Sequence, residues 1–157
     1  MTGREELLTG TALTVFRLNG QFLSVSERLA RPAGMTAARW QVLGTVLREP
    51  LPVSGIARNL GITRQSVQRV ADLLVANGLA TYLPNPAHRR AKLLAPTAQG
   101  RAIVRRIDPG HADFAARLTE ALGGSEEFAG VLTSLERLSR ALESVQAEDP
   151  GGRPGPG

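Results

Sequence analysis

At 157 residues and 42% hydrophobic content, the chain can bury one core and has the composition of a soluble globular protein. It has no cysteine, which excludes disulfides, thiolate metal sites and thiol-based redox sensing, and no apolar run near the ~20 residues of a membrane-spanning helix. The net charge of +5 is unevenly placed: from Pro50 to Ile107 nine basic residues stand against the single acid Asp72, an excess of +8 that leaves −3 for the rest.

In chain order, the opening Met-Thr-Gly-Arg-Glu-Glu carries no secretory pattern, so a cytoplasmic protein without membrane contact is expected. Thr9 to about Leu29 reads as a long first helix, with Leu8, Ala12, Val15, Phe16, Phe22 and Leu29 at apolar positions and Gly20 as its weak point. Its apolar pattern is broad, as contact on more than one side requires. Arg31-Pro32-Ala33-Gly34 breaks it, and Thr36 caps a second helix through Trp40, Val42, Leu43, Val46 and Leu47, closed by Pro50 and Pro52. Trp40 reads as a core aromatic.

The stretch from Val53 to Leu79 is the most informative. Val53, Ile56, Ala57 and Leu60 have helical spacing, with Ser54 placed to cap free amides. Gly61 then turns the chain with positive φ, Ile62 packs inward, and Thr63 caps a second helix that ends at Asn77-Gly78. This is a helix-turn-helix pattern. In its second helix Val67, Val70, Ala71 and Leu74 fall on one face, and Arg64, Gln65, Gln68 and Arg69 on the other. Arginine and glutamine can bridge two atoms on the edge of guanine or adenine, so the polar face can read bases in a major groove as well as touch phosphates. The basic centre coincides with this motif, as expected of a polyanion-binding unit flanked by assembly elements.

Leu79 to Leu83 and Lys92 to Ala95 read as two short strands around the loop from Pro84 to Ala91, a hairpin with a basic tip that can reach a neighbouring minor groove. Ala95 to Gly100 opens a helix through Ile103, Val104 and Ile107, with a kink or break at Pro109-Gly110, resuming through Phe114, Leu118 and Leu122 to Gly123-Gly124. Ser125 caps a final helix with Glu126 and Glu127 in its first turn and an apolar stripe of Phe128, Val131, Leu132, Leu135, Leu138, Leu142 and Val145. Pairing that stripe with the first helix, within and across subunits, would make a homodimer. From Asp149 the Pro- and Gly-rich end cannot build a core and is expected to be disordered.

The expected fold is mainly α with a small two- to three-stranded β wing. Residues 1–30 and 97–148 would be dimerisation helices, 31–96 a winged helix-turn-helix DNA-binding domain, and 149–157 a tail. An enzyme is not expected. The two histidines, His88 in the wing and His111 at a helix end or in solvent, assemble no metal set or triad, and no Gly-rich phosphate loop follows a strand. Neither catalytic residues nor a metal or cofactor are therefore assigned. The competing readings are a DNA architectural protein and a protein-binding winged helix, both with little sequence specificity.

The order of helix, helix, helix-turn-helix, wing and two long helices resembles the MarR family, the multiple-antibiotic-resistance type of bacterial transcription regulators. The matching motifs are Gly61-Ile62-Thr63-Arg64-Gln65-Ser66-Val67, the Asn77-Gly78-Leu79 exit, and His88-Arg89-Arg90-Ala91-Lys92-Leu93 followed by Pro96-Thr97-Ala98-Gln99-Gly100. The resemblance covers roughly residues 9–147. It implies a homodimer binding a pseudo-palindromic operator in double-stranded DNA, usually as a repressor relieved by a small ligand. By position it implies that Thr63, Arg64, Gln65, Ser66, Gln68 and Arg69 meet the major groove and its phosphates. Arg90 would be the minor-groove arginine, with Arg89 and Lys92 in support. His88 stands where the family commonly has an Asp that helps hold the wing, a departure that bears on how Arg90 is positioned. A protonated His88 can instead donate to a phosphate, so that affinity would rise as pH falls. The resemblance implies a small aromatic or phenolic effector between the dimer helices and the DNA-binding lobe, where Phe16, Arg39 and Trp40 would be neighbours, although core packing and a surface charge explain their positions equally well.

Overall fold

The computed structural model describes residues 3–149; the expected disordered tail lies outside the described residues from Pro150 onward. The first helix, α1 (Arg4–Ala30), begins earlier than its apolar pattern. Glu5 and Glu6 favour the positive end of the helix dipole, and the Glu6 carboxylate accepts from the Gly3 N–H at 3.3 Å. Gly20 does not interrupt it. After a 3-10 turn at Arg31–Ala33 and Gly34 at φ 72°, α2 (Ala37–Thr45) is capped twice. The Thr36 hydroxyl accepts from Arg39 N at 3.2 Å, and Glu27 reaches from α1 to accept from Ala37 N at 2.8 Å. This helix ends two residues sooner than expected, with Val46 and Leu47 in tight turns back to the Leu43 and Gly44 carbonyls.

Leu51–Pro52 form β1, a strand too short to show periodicity, and α3 (Val53–Leu60) follows at once. Here the expected Ser54 cap is corrected. Pro52 occupies the N-cap without a side-chain hydrogen bond, and Ser54 lies inside the first turn. Gly61 adopts φ 67°, ψ 31°, and the Ile62 N–H returns to Ala57 O at 3.2 Å. That turn carries the Ile62 side chain outward, 43% exposed, rather than into the core as expected. The next helix, α4 (Arg64–Ala76), buries Val67, Ala71 and Leu74, the apolar face expected of it. Strands β2 (Ala80–Leu83) and β3 (Leu93–Pro96) join β1 in an antiparallel sheet of order β1-β3-β2, with Leu94 opposite both Leu51 and Tyr82.

The core gathers Val42, Leu43 and Val46 with Ile56, Val67, Leu74 and Leu94, all fully buried. Each such side chain contributes ~1.5–3 kcal/mol of hydrophobic stabilisation, so α4 is fixed by its apolar face and its polar face is left outward. Among the described residues no polar or charged side chain is buried.

Helix α5 (Ala98–Ala121) runs through Pro109 without the expected break. Proline removes one N–H, but Arg105, whose carbonyl loses that donor, lies in solvent where water can replace it. The chain divides into two compact units after His111. In the second, the end of α5 turns into α6 (Ser125–Glu148) through Gly123 at φ 98° and Gly124 at φ 123°. Gly124, not Ser125, is the N-cap, and no side chain caps this helix. Leu132, Leu135, Leu142 and Val145 of α6 are exposed, and within the first unit so are Leu8, Phe16 and Phe22 of α1.

Candidate nucleic-acid interface

The polar face of α4 is set by its start. The Thr63 hydroxyl accepts from Ser66 N at 3.1 Å and donates to Ser66 Oγ at 2.9 Å, so both side chains hold the cap together. Along the first two turns Arg64, Gln65, Gln68 and Arg69 are all exposed. Across from them the loop between β2 and β3 is braced by Asn85. Its Nδ2 donates to Ala91 O at 2.8 Å, its Oδ1 accepts from Ala87 N at 3.0 Å, and its carbonyl accepts from His88 N at 3.2 Å. Asn85 thus ties the two ends of the wing loop together.

A cleft of about 870 Å³ lies between α4 and the wing. Arg64, Gln65 and Gln68 line it from the helix, His88, Arg90 and Lys92 from the wing, and Ser54 from α3. Thr63, Ser66, Arg69 and Arg89 are exposed outside it. Among the described residues the salt bridges are Asp113–Arg117 and Glu136–Arg140, so the basic side chains of α4 and the wing have no carboxylate partner. Unpaired cations on two facing elements form a concave positive surface, matched to a polyanion.

At the base of the cleft Gln68 is engaged with Asp72, its neighbour one turn on, and with Tyr82, a contact that helical spacing did not reveal. Gln68 Nε2 stands 2.9 Å from both Asp72 Oδ1 and the Tyr82 hydroxyl, and the hydroxyl donates to Asp72 Oδ1 at 2.6 Å. This triad ties α4 to β2. Burial, then the hydrogen bond and negative charge of Asp72, push the Tyr82 phenol from 10.0 up to about 12, while the Gln68 hydrogen bond works against the rise.

The sequence model of the MarR family matches residues 33–91, a span that contains α3, α4, β2 and the wing loop up to Ala91. An uncharacterized protein of Mycobacterium tuberculosis, Rv2011c, is 38% identical over 136 residues, covering 87% of this chain and 92% of its own length. The chain belongs to the MarR family. Its fold is similar to that of the transcriptional repressor CouR bound to a 23-mer DNA duplex, at TM-score 0.71 and 26% identity over 88% of this chain and 99% of that one. It is also similar to a mutant E. coli MarR complexed with operator DNA, at TM-score 0.71 and 21% identity over 87% and 99%.

This MarR-family regulator has a second cleft, of about 460 Å³, lined by Ser26, Trp40, Leu47, Val104, Asp108 and His111 among others. The Trp40 and His111 rings meet edge to face, centroids 5.5 Å apart and planes at 89°. Trp40 also packs against the core, as expected. His111 is solvent-exposed but stands inside α5 rather than at a helix end. Phe16 projects into solvent, 70% exposed. Among the described residues no helix is long and apolar enough to cross a membrane.

Proposed function

We propose that the chain is a sequence-specific DNA-binding regulator, acting as a homodimeric repressor on a pseudo-palindromic operator. The observation that carries this reading is Arg64 of α4 facing Arg90 and Lys92 of the wing across the 870 Å³ cleft, none of them with a carboxylate partner. Arg64, Gln65, Gln68 and Arg69 address the major groove, Thr63 and Ser66 hold the helix start near the phosphates, and Arg90, with His88, Arg89 and Lys92, addresses the minor groove. The DNA-bound states of CouR and the E. coli MarR mutant, whose folds are similar, support it. Residues 31–96 are the DNA-binding domain. Residues 1–30 and 97–148 carry the dimer contacts, supported by the exposed apolar rows of α1 and α6. The cleft at Trp40 and His111 is the place for a small aromatic or phenolic effector whose binding releases the DNA.

Selection of bound duplexes from a random pool tests this. The expected outcome is a two-fold symmetric site, half-sites about one helical turn apart, preferred ~10³-fold or more over random DNA. Retention of DNA without sequence preference would replace the reading with an architectural role. No retention in dilute salt would leave a protein-binding winged helix.

A further inference from the structure

The Gln68–Asp72–Tyr82 triad bears on which bases this surface selects. A free glutamine amide is ambiguous in a major groove. Turned one way it offers an oxygen to the amino group of adenine or cytosine; turned the other way it offers a nitrogen to the carbonyl of guanine or thymine. Gln68 does not have that freedom. Asp72 Oδ1 only accepts, and it already takes the Tyr82 proton at 2.6 Å. The Gln68 atom 2.9 Å from it must therefore be the amide nitrogen, which at the same time donates toward the Tyr82 hydroxyl. Reversing the amide would set Oε1 against a carboxylate. Among the described residues Oε1 has no partner, and Gln68 lines the cleft on the polar face of α4.

We infer that Asp72 and Tyr82 act as positioning residues that fix the polarity of the Gln68 amide, so that Gln68 accepts a hydrogen bond from an exocyclic amino group, on adenine or cytosine, in the major groove. Guanine and thymine then meet oxygen with oxygen at that position. The inference rests on the DNA-reading function proposed above and adds the class of base that one residue selects.

The test is duplex selection with the full chain and three variants, Gln68→Ala, Asp72→Asn and Tyr82→Phe, with thermal melting to verify each fold. In the unsubstituted protein one position per half-site shows adenine or cytosine, preferred at least about fivefold over guanine or thymine. Gln68→Ala makes that position indifferent. Asp72→Asn, whose own amide can turn either way, admits guanine and thymine there and leaves the preference at other positions unchanged, while the loss of its negative charge raises the affinity for all duplexes alike. A brace between α4 and β2 alone would not move a single base position in this way. Tyr82→Phe keeps the Asp72 acceptor and relaxes the preference less. The unsubstituted protein gives a second measurement: replacing an adenine at that position by purine, which lacks the amino group, lowers affinity at least about fivefold.

Enriched sites in which no position responds to Gln68→Ala, or in which Asp72→Asn leaves every position as it was, would overturn the inference and leave the DNA reading standing. No enrichment at all would remove both.

Discussion

Gly100, at the start of α5, packs directly under the carbonyl of Leu79, so that a Cβ added there would run into that oxygen. The same carbonyl accepts from Thr97 N at 3.1 Å, and the Thr97 hydroxyl both accepts from Gly100 N at 3.0 Å and donates to Gly78 O at 2.6 Å. Neither backbone can move without breaking that junction between the α4–β2 turn and the start of α5. Gly100→Ala is therefore expected to destabilise the fold by ~1–3 kcal/mol or more, read as a fall of several degrees in the melting temperature. Gly20→Ala is the control. It lies mid-helix with open space around it and is expected to stabilise by ~0.5–1 kcal/mol.

Arg69 and Arg89 should separate base reading from phosphate attraction. Arg69→Ala is expected to lose ~1–3 kcal/mol on the selected site and to relax specificity at one position. Arg89→Ala is expected to weaken every duplex alike and to lower the slope of log affinity against log salt by ~1. Mobility-shift titrations at several salt concentrations, on the selected and a random duplex, check both. Equal losses on the two duplexes for Arg69→Ala would refute its role in reading bases.

Tyr82 is the chain's one tyrosine, so its ionisation can be followed by absorbance without interference from another phenol. In the folded protein it should titrate near 12, against 10.0 unfolded. A raised phenol binds more protons folded than unfolded, so its contribution to stability is complete below pH 10 and is lost as pH rises toward 12. Replacing Asp72 by Asn should bring the titration back toward the ordinary value. A titration unaffected by that substitution would show that the carboxylate does not hold the phenol proton.

Asn85 makes two side-chain hydrogen bonds within the wing loop. Asn85→Ala is expected to loosen the loop, seen as faster amide exchange there, and to lower DNA affinity more than it lowers melting temperature, since the loop is exposed and adds little to the core.

The exposed apolar row of α6 gives a test of assembly. Leu142→Glu places a charge on it and should shift the species seen by sedimentation toward the monomer. An unchanged dimer would exclude this row from the contact.

What the sequence disclosed is what one helix period or one turn residue carries. The faces of α4, the positive φ at Gly61, the Thr63 cap and the hairpin of the wing all depend on residues within a few positions of each other. The errors have the opposite character. Ser54 and Ser125 look like caps, but Pro52 and Gly124 already occupy those positions. Ile62 looks like core, but the direction of its side chain follows from the turn geometry rather than from its apolarity. Pro109 looks like a break, which an exposed helix with a hydratable carbonyl tolerates. β1 has two residues and exists because β3 pairs with it. In the candidate site, the ten expected residues are all exposed on α4, its cap or the wing. The triad was not legible, because Tyr82 meets Gln68 and Asp72 only when β2 returns alongside α4.

Trp40 is the chain's one tryptophan, and its ring stands edge to face with His111 beside the smaller cleft. Indole emission is sensitive to an imidazole at that range. A molecule entering there would displace or cover one ring of the pair, so the intrinsic fluorescence of the unlabelled protein serves as its own gauge of occupancy.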